Sequence, residues 1–254
     1  MEFLLNHPWP LGFLTAVLLA GFIEAGHQAR QHSRFPADSE KRDQIATIRD
    51  GLFVLLSLLL GFTLALAAPR FADRRLLLIE EANAIGTTYL RAGTLPSYYR
   101  DQARDLLRKY VDASLDLDNV AVDYVAKQAI ECSEQIQHQL WNGVAELTKN
   151  DRSAVAALYL SSLNQTIDLH EQRLSATENR IPLPVWALIF LVAGIAVFTR
   201  GLTLATRFWP AILLVPVTIA LVVALIADLD TPGTGLIRLD QRAMLRLKAE
   251  LRGQ

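Results

Sequence analysis

Four apolar runs constrain this chain more than anything else in its 254 residues. They occupy positions 10–25, 51–68, 181–199 and 208–227, and only the first is interrupted by a charge, Glu24. A helix needs roughly 20 residues at about 1.5 Å each to cross the hydrocarbon layer of a bilayer. Trp9, Trp186 and Trp209 stand near the starts of the first, third and fourth runs, where an indole is expected at a membrane interface. A chain in lipid must satisfy its own backbone groups, so a run of this kind is a helix unless it belongs to a closed barrel. The tail ahead of the first run has no Lys or Arg, and no clear small-residue cleavage pattern follows, so that run is expected to be a retained helix.

The long stretch between the second and third runs is polar, and it too reads as helices. Tyr99, Ala103, Leu106 and Tyr110 recur every three or four residues. So do Val122, Val125, Ala129, Cys132 and Ile136, and then Ala156, Leu160, Leu163, Ile167, His170 and Leu174. Such stripes are what antiparallel helices bury against one another. Only Pro69 separates the second run from the segment after it, so the two are expected to form one long, kinked helix, ended by "AGTLPS" at 92–97. "TKND" (148–151) reads as a turn with Asp151 the expected N-cap of the helix after it, Asp240 is that of a last helix at 241–251, and "GLIRLD" (235–240) is the one short stretch with strand character. The expectation is an all-α integral membrane protein with four transmembrane helices and an extramembrane helical bundle between the second and third. Its segments are a first transmembrane hairpin (1–69), the bundle (70–180), a second hairpin (181–230), and a C-terminal turn and short helix (231–254). The short loops at 27–50 and 200–207 are basic and the N-terminal tail is not, which favours cytoplasmic loops and an extracytoplasmic bundle.

Composition excludes several functions. A net charge of −1 gives no basic surface for nucleic acid, and a single cysteine allows no disulfide within the chain and no thiolate metal knuckle. His27 and His32 are five apart and read as loop histidines; His170 reads as a packing histidine and Cys132 as a small buried filler. No hydrolase, metalloprotease or phosphate-cradle motif occurs, so no catalytic residue, cofactor or metal is expected.

What remains is membrane chemistry. Asp50, Val54, Ser57, Gly61, Ala65 and Ala68 line one face of the second run. Small residues there suit close helix packing, and a small, slightly polar face also suits a water path, so Ser57, Gly61 and Ala65 are pore-lining candidates. In the helix that follows, Glu81, Asn83, Gly86 and Thr87 are candidates for contact with another helix or a second copy. Asp228 and Asp230 close the fourth run, where the negative end of a helix disfavours carboxylates. The second and fourth runs exit on the same side, so one aspartate, Asp228 in preference, is expected to pair with Arg70, Arg74 or Arg75. For Asp230 the plainer role is to hold the Asp-Thr-Pro-Gly turn.

Two blocks of the sequence, "LLLGFTLALAAPRFADRRLLLIEEANAIGTTYLRAGTLP" and "LLVPVTIALVVALIADLDTPGTGLIRL", resemble the signature blocks of the bacterial "bestrophin-like domain" family. The resemblance covers nearly the whole chain in order, and "EANAIGT" is its specific part. It implies similarity to bestrophins, which are pentameric anion channels with four spans per subunit. The implied partners are further copies of this chain, membrane lipid and small ions, and the implied place is the bacterial inner membrane. A subunit of an oligomeric ion channel is the expected function; a non-conducting scaffold or sensor acting through the bundle is the rival. No bestrophin pore or calcium residue is matched by a motif here.

Overall fold

The computed structural model describes residues 7–32, 39–118, 123–204, 206–207, 209–231 and 235–253. It contains α1 (Pro8–His32), α2 (Ser39–Ala92), α3 (Ser97–Asp118), α4 (Asp123–Asn150), α5 (Ala154–Glu178), α6 (Leu183–Thr203), α7 (Trp209–Asp230) and α8 (Arg242–Arg252). Four helices are long and apolar enough to cross a membrane. No strand occurs among the described residues, so 235–240 is not extended pairing but a bend leading into α8. α2 runs unbroken for 54 residues with Pro69 inside it; continuity through Pro69 is as expected, but the helix also takes in 39–50, which the sequence reads as part of the first loop.

The chain divides into two units, 1–69 with 180–236, and 70–179 with 237–254. In the first, α1 packs on α6 and α7. Glycine makes this possible at one crossing. A Cβ on Gly201 would lie 2.1 Å from the Ile23 carbonyl oxygen, and one on Gly26 would lie 2.2 Å from the Phe198 carbonyl oxygen. The two backbones touch there, the device by which helices associate in lipid. Gly12 likewise admits Ala224 of α7. Glu24, the lone charge in the first run, pairs with Arg207. Trp186 departs from expectation: it is buried in the core of this unit and stacks on Phe190 at 6.2 Å, whereas Trp9 and Trp209 are exposed.

The second unit buries the expected seams. Ala103, Leu106 and Tyr110 of α3, Ile136 of α4, and Ala156 and Leu163 of α5 join Ile85 and Tyr89 of α2 and Met244, Leu247 and Leu251 of α8 around an apolar core, and Ala129 of α4 is buried as well. Cys132 is exposed, because α4 turns the neighbouring Ser133 inward instead. The cap of α5 is Ser153, whose hydroxyl accepts the Ala156 N–H; Asp151 sits two residues earlier and accepts the Ser153 N–H. Asp240 takes the Arg242 N–H at the start of α8.

Candidate functional site

α2 carries both candidate features, one on its outward face and one on its inward face. Leu56, Leu60, Thr63 and Ala67 are buried, and Ser57, Gly61, Ala65 and Ala68 are exposed. A Cβ on Gly61 would meet nothing within 4 Å. The small face therefore packs against no other helix of the described chain, and the Ser57 hydroxyl donates only to its own helix, at the Val54 carbonyl (2.8 Å). Val54, Leu58, Phe62 and Leu66 stand exposed beside it.

On the inward face, beyond Pro69, Glu81 is fully buried at the centre of a polar cluster. Its Oε1 accepts the Tyr110 hydroxyl (3.1 Å) and bonds His170 Nδ1 (3.2 Å), while its Oε2 accepts Arg173 Nη1 (2.5 Å) and the Ser114 hydroxyl (3.4 Å). Arg173 also donates to the Ser114 hydroxyl and carbonyl, and Gln137 donates to the Tyr110 oxygen. Three helices, α2, α3 and α5, thus meet on one carboxylate, and α4 joins them through Gln137 and the Tyr110 hydroxyl. Burial by itself would raise the Glu81 pKa; the His170 hydrogen bond and the Arg173 charge outweigh it and hold the carboxyl below its ordinary value. Burial, and then the Glu81 charge, push the Tyr110 phenol well above its usual range. His170 Nε2 is buried with no hydrogen-bond partner among the described residues.

The remaining candidates fall in different places. Asn83 and Thr87 are exposed, as a contact with another copy needs, while Gly86 faces α8 within the unit, where a Cβ would lie 3.2 Å from Leu247. Arg74 is buried and donates to the carbonyls of Ala176 and Asn179 at the end of α5 (2.8 and 2.9 Å). Arg70 is half-buried and Arg75 exposed. Asp228 and Asp230 are both buried. Asp230 takes the Ile181 N–H on both oxygens (3.1 and 3.0 Å) just ahead of α6. Asp228 lies so close to Gly235 that a Cβ there would fall 1.3 Å from its Oδ1. The sequence does not mark Tyr110, Ser114, Gln137 and Arg173 as polar partners. The only trace of them in the sequence is spacing: Ser114 lies four residues after Tyr110, and Arg173 three after His170. Among the described residues no group of three metal ligands gathers.

An all-α membrane protein, with one long helix that presents small residues outward from its apolar run and a buried carboxylate hub further along, is the class these features define. The sequence matches the Bestrophin-like family, described as the bestrophin-like domain, over residues 15–244, and the chain belongs to that family. Among curated proteins none matches it. Its fold is similar to crystal structures of a bacterial bestrophin homologue from Klebsiella pneumoniae. One, phased on zinc, has 17% identity and a TM-score of 0.66, covering 96% of this chain and 98% of the other. A single-substitution form has 16% identity and a TM-score of 0.66, covering 95% and 98%. A further structure, of a membrane protein with one substitution, has 15% identity and a TM-score of 0.68, covering 95% and 98%. At these identities the likeness concerns the fold.

Proposed function

We propose that this chain is a subunit of an oligomeric ion channel, a pentamer by resemblance to bestrophins, with the outward face of α2 lining the path. The observation that carries this reading is the exposure of Ser57, Gly61 and Ala65. A small, slightly polar face is a poor lipid surface, and no helix among the described residues covers it. Around a ring axis the same face would meet water and its own copies. We assign the chain no enzymatic activity, and we place it in the bacterial inner membrane with the polar bundle outside the bilayer, on the extracytoplasmic side by the charge of the loops. Asn83 and Thr87 would contact a neighbouring copy, and Asp228 would pair with one of the arginines that follow the second span.

The rival reading is a non-conducting scaffold or sensor. It shares the exposed face but fills it with a partner helix instead of water. Purified protein, sized by native mass measurement in mild detergent and then recorded in planar bilayers, separates the two. The channel reading expects an oligomer and discrete current steps. An oligomer without current favours the scaffold, and a monomer defeats the channel.

A further inference from the structure

Within the bundle unit, α2 and α5 each leave one row of side chains outside. Leu76, Glu80, Asn83, Thr87 and Leu90 of α2 are exposed at alternating steps of four and three. Leu158, Ser161, Gln165, Asp168, Gln172 and Ser175 of α5 are exposed in the same rhythm. That spacing is the seam by which one helix packs along another. No side chain of either row is hydrogen-bonded among the described residues. The α5 row is also concave: an open groove of about 560 Å³ runs along it, lined in part by Ser161, Gln165, Asp168 and Gln172. The two helices are antiparallel and joined at three levels, Arg74 to the Ala176 carbonyl, Glu81 to Arg173, and Thr88 to Thr166. These bonds set Leu76 level with Ser175, Glu80 with Gln172, Asn83 with Asp168, Thr87 with Gln165 and Leu90 with Ser161.

We infer that α5 is the surface by which one copy receives the next: the α2 row of one subunit seats, antiparallel, in the α5 groove of its neighbour. This rests on the channel reading, with the ring axis running along this stretch of α2. A copy in a ring is reached by rotation, and rotation leaves height along the axis unchanged. A head-to-tail contact therefore brings together residues of one level. The chemistry fits level by level. The Gln172 amide can donate to the Glu80 carboxylate, the Asn83 amide can donate to Asp168, and the Thr87 hydroxyl and the Gln165 amide can each donate to the other. Leu90 meets the end of the row that holds Leu158. At the opposite end Arg75 and Glu178, both exposed, supply opposite charges. No two like charges share a level, and neither row holds a Lys or Arg, in keeping with the depletion of charge at the centre of interfaces.

The test is disulfide trapping in a Cys132→Ala background, with Thr87→Cys and Gln165→Cys chains made separately and co-expressed with different tags. Oxidation of the co-expressed pair should shift a band on a denaturing gel to twice the chain mass, with both tags in it, because a disulfide forms only where Cβ atoms come within about 4 Å. Either chain alone should stay at the single mass. Thr87→Cys with Ser175→Cys should give no such band, since Ser175 lies about 15 Å from Gln165 along α5. Adding Asn83→Asp, which sets a like charge against Asp168, should lower the yield of the mixed band, and adding Asp168→Asn as well should restore it. Elution of the cysteine variants at the parent's oligomer size excludes misfolding. If the parent is an oligomer and the mixed pair never links, or Thr87→Cys links to itself instead, α2 meets another surface and the inference fails while the channel reading stands. If the parent is a monomer, both fall.

Discussion

Replacing Glu81 by Gln should destabilise the chain by about 3 kcal/mol or more, and the reason lies in how its two oxygens are used. Oε2 faces the buried Arg173 guanidinium, and Oε1 faces the Tyr110 hydroxyl and His170 Nδ1. A glutamine in the same place offers one oxygen and one NH2. Keeping the oxygen toward Arg173 turns two donor hydrogens at Tyr110 and His170; the reverse points them at a guanidinium. In either case Arg173, which is 4 % exposed, keeps its charge with no carboxylate beside it. Removing one partner of a buried pair costs about 3–5 kcal/mol, more than the pair itself contributes, because the other charge is left without compensation. The double variant Glu81→Leu/Arg173→Met removes both charges and should therefore recover most of the loss. The pH dependence has a definite sign. The folded pKa of Glu81 is depressed, so its contribution is present above the ordinary carboxyl pKa of 4.5 and is lost as the pH falls below it, through the folded value. The parent should lose stability in that acid window more steeply than Glu81→Gln does. Thermal unfolding in detergent at pH 7 and across the acid range reads both effects. A Glu81→Gln variant within about 1 kcal/mol of the parent, or a double variant no better than the single, would show that the hub carries no net charge interaction.

Gly201→Ala and Gly26→Ala should each cost about 1–3 kcal/mol or prevent folding, because the new methyl meets backbone that cannot move aside; Gly21→Ala, with nothing within 4 Å, should be silent in the same melts. Gly235→Ala should be as damaging as Gly201→Ala, since its Cβ would overlap the Asp228 carboxylate. Asp228→Asn combined in turn with Arg70→Gln and Arg74→Gln tests the proposed ion pair: coupling above about 0.5 kcal/mol with one of them is expected, and additivity with both would refute it.

The membrane helices were legible because hydropathy over some twenty residues is a strong signal, and α2 was legible because one proline was the only obstacle to continuity. The apolar seams of α3 and α5 followed from spacing. The hub did not, for a physical reason. Glu81 reads as a helix-contact residue, but Ser114 and Arg173 are far from it in the chain, and spacing along one helix does not tell which residues of other helices reach it. Trp186 misled in the opposite direction. α6 is apolar all round, so hydropathy could not say which of its faces the other helices of its unit would cover. Cys132 and Ser133 differ by one position, and a step of one residue is enough to exchange a seam position for an exposed one. Ser57, Gly61 and Ala65 were picked out by residue size, but only the packing of Leu56 and Leu60 on the opposite face established that they point outward.

That outward face is the centre of the account, and cysteine accessibility tests it most directly. In a Cys132→Ala background, which removes the exposed native thiol, Ser57→Cys, Gly61→Cys and Ala65→Cys would be reconstituted in planar bilayers and treated with a charged, membrane-impermeant thiol reagent. A water-filled path along α2 predicts loss of current at all three positions and none at Leu56→Cys, which lies on the buried face. Current that survives modification at the three outward positions, or thiols there that never react while the channel conducts, would contradict the assignment of α2 as the lining helix.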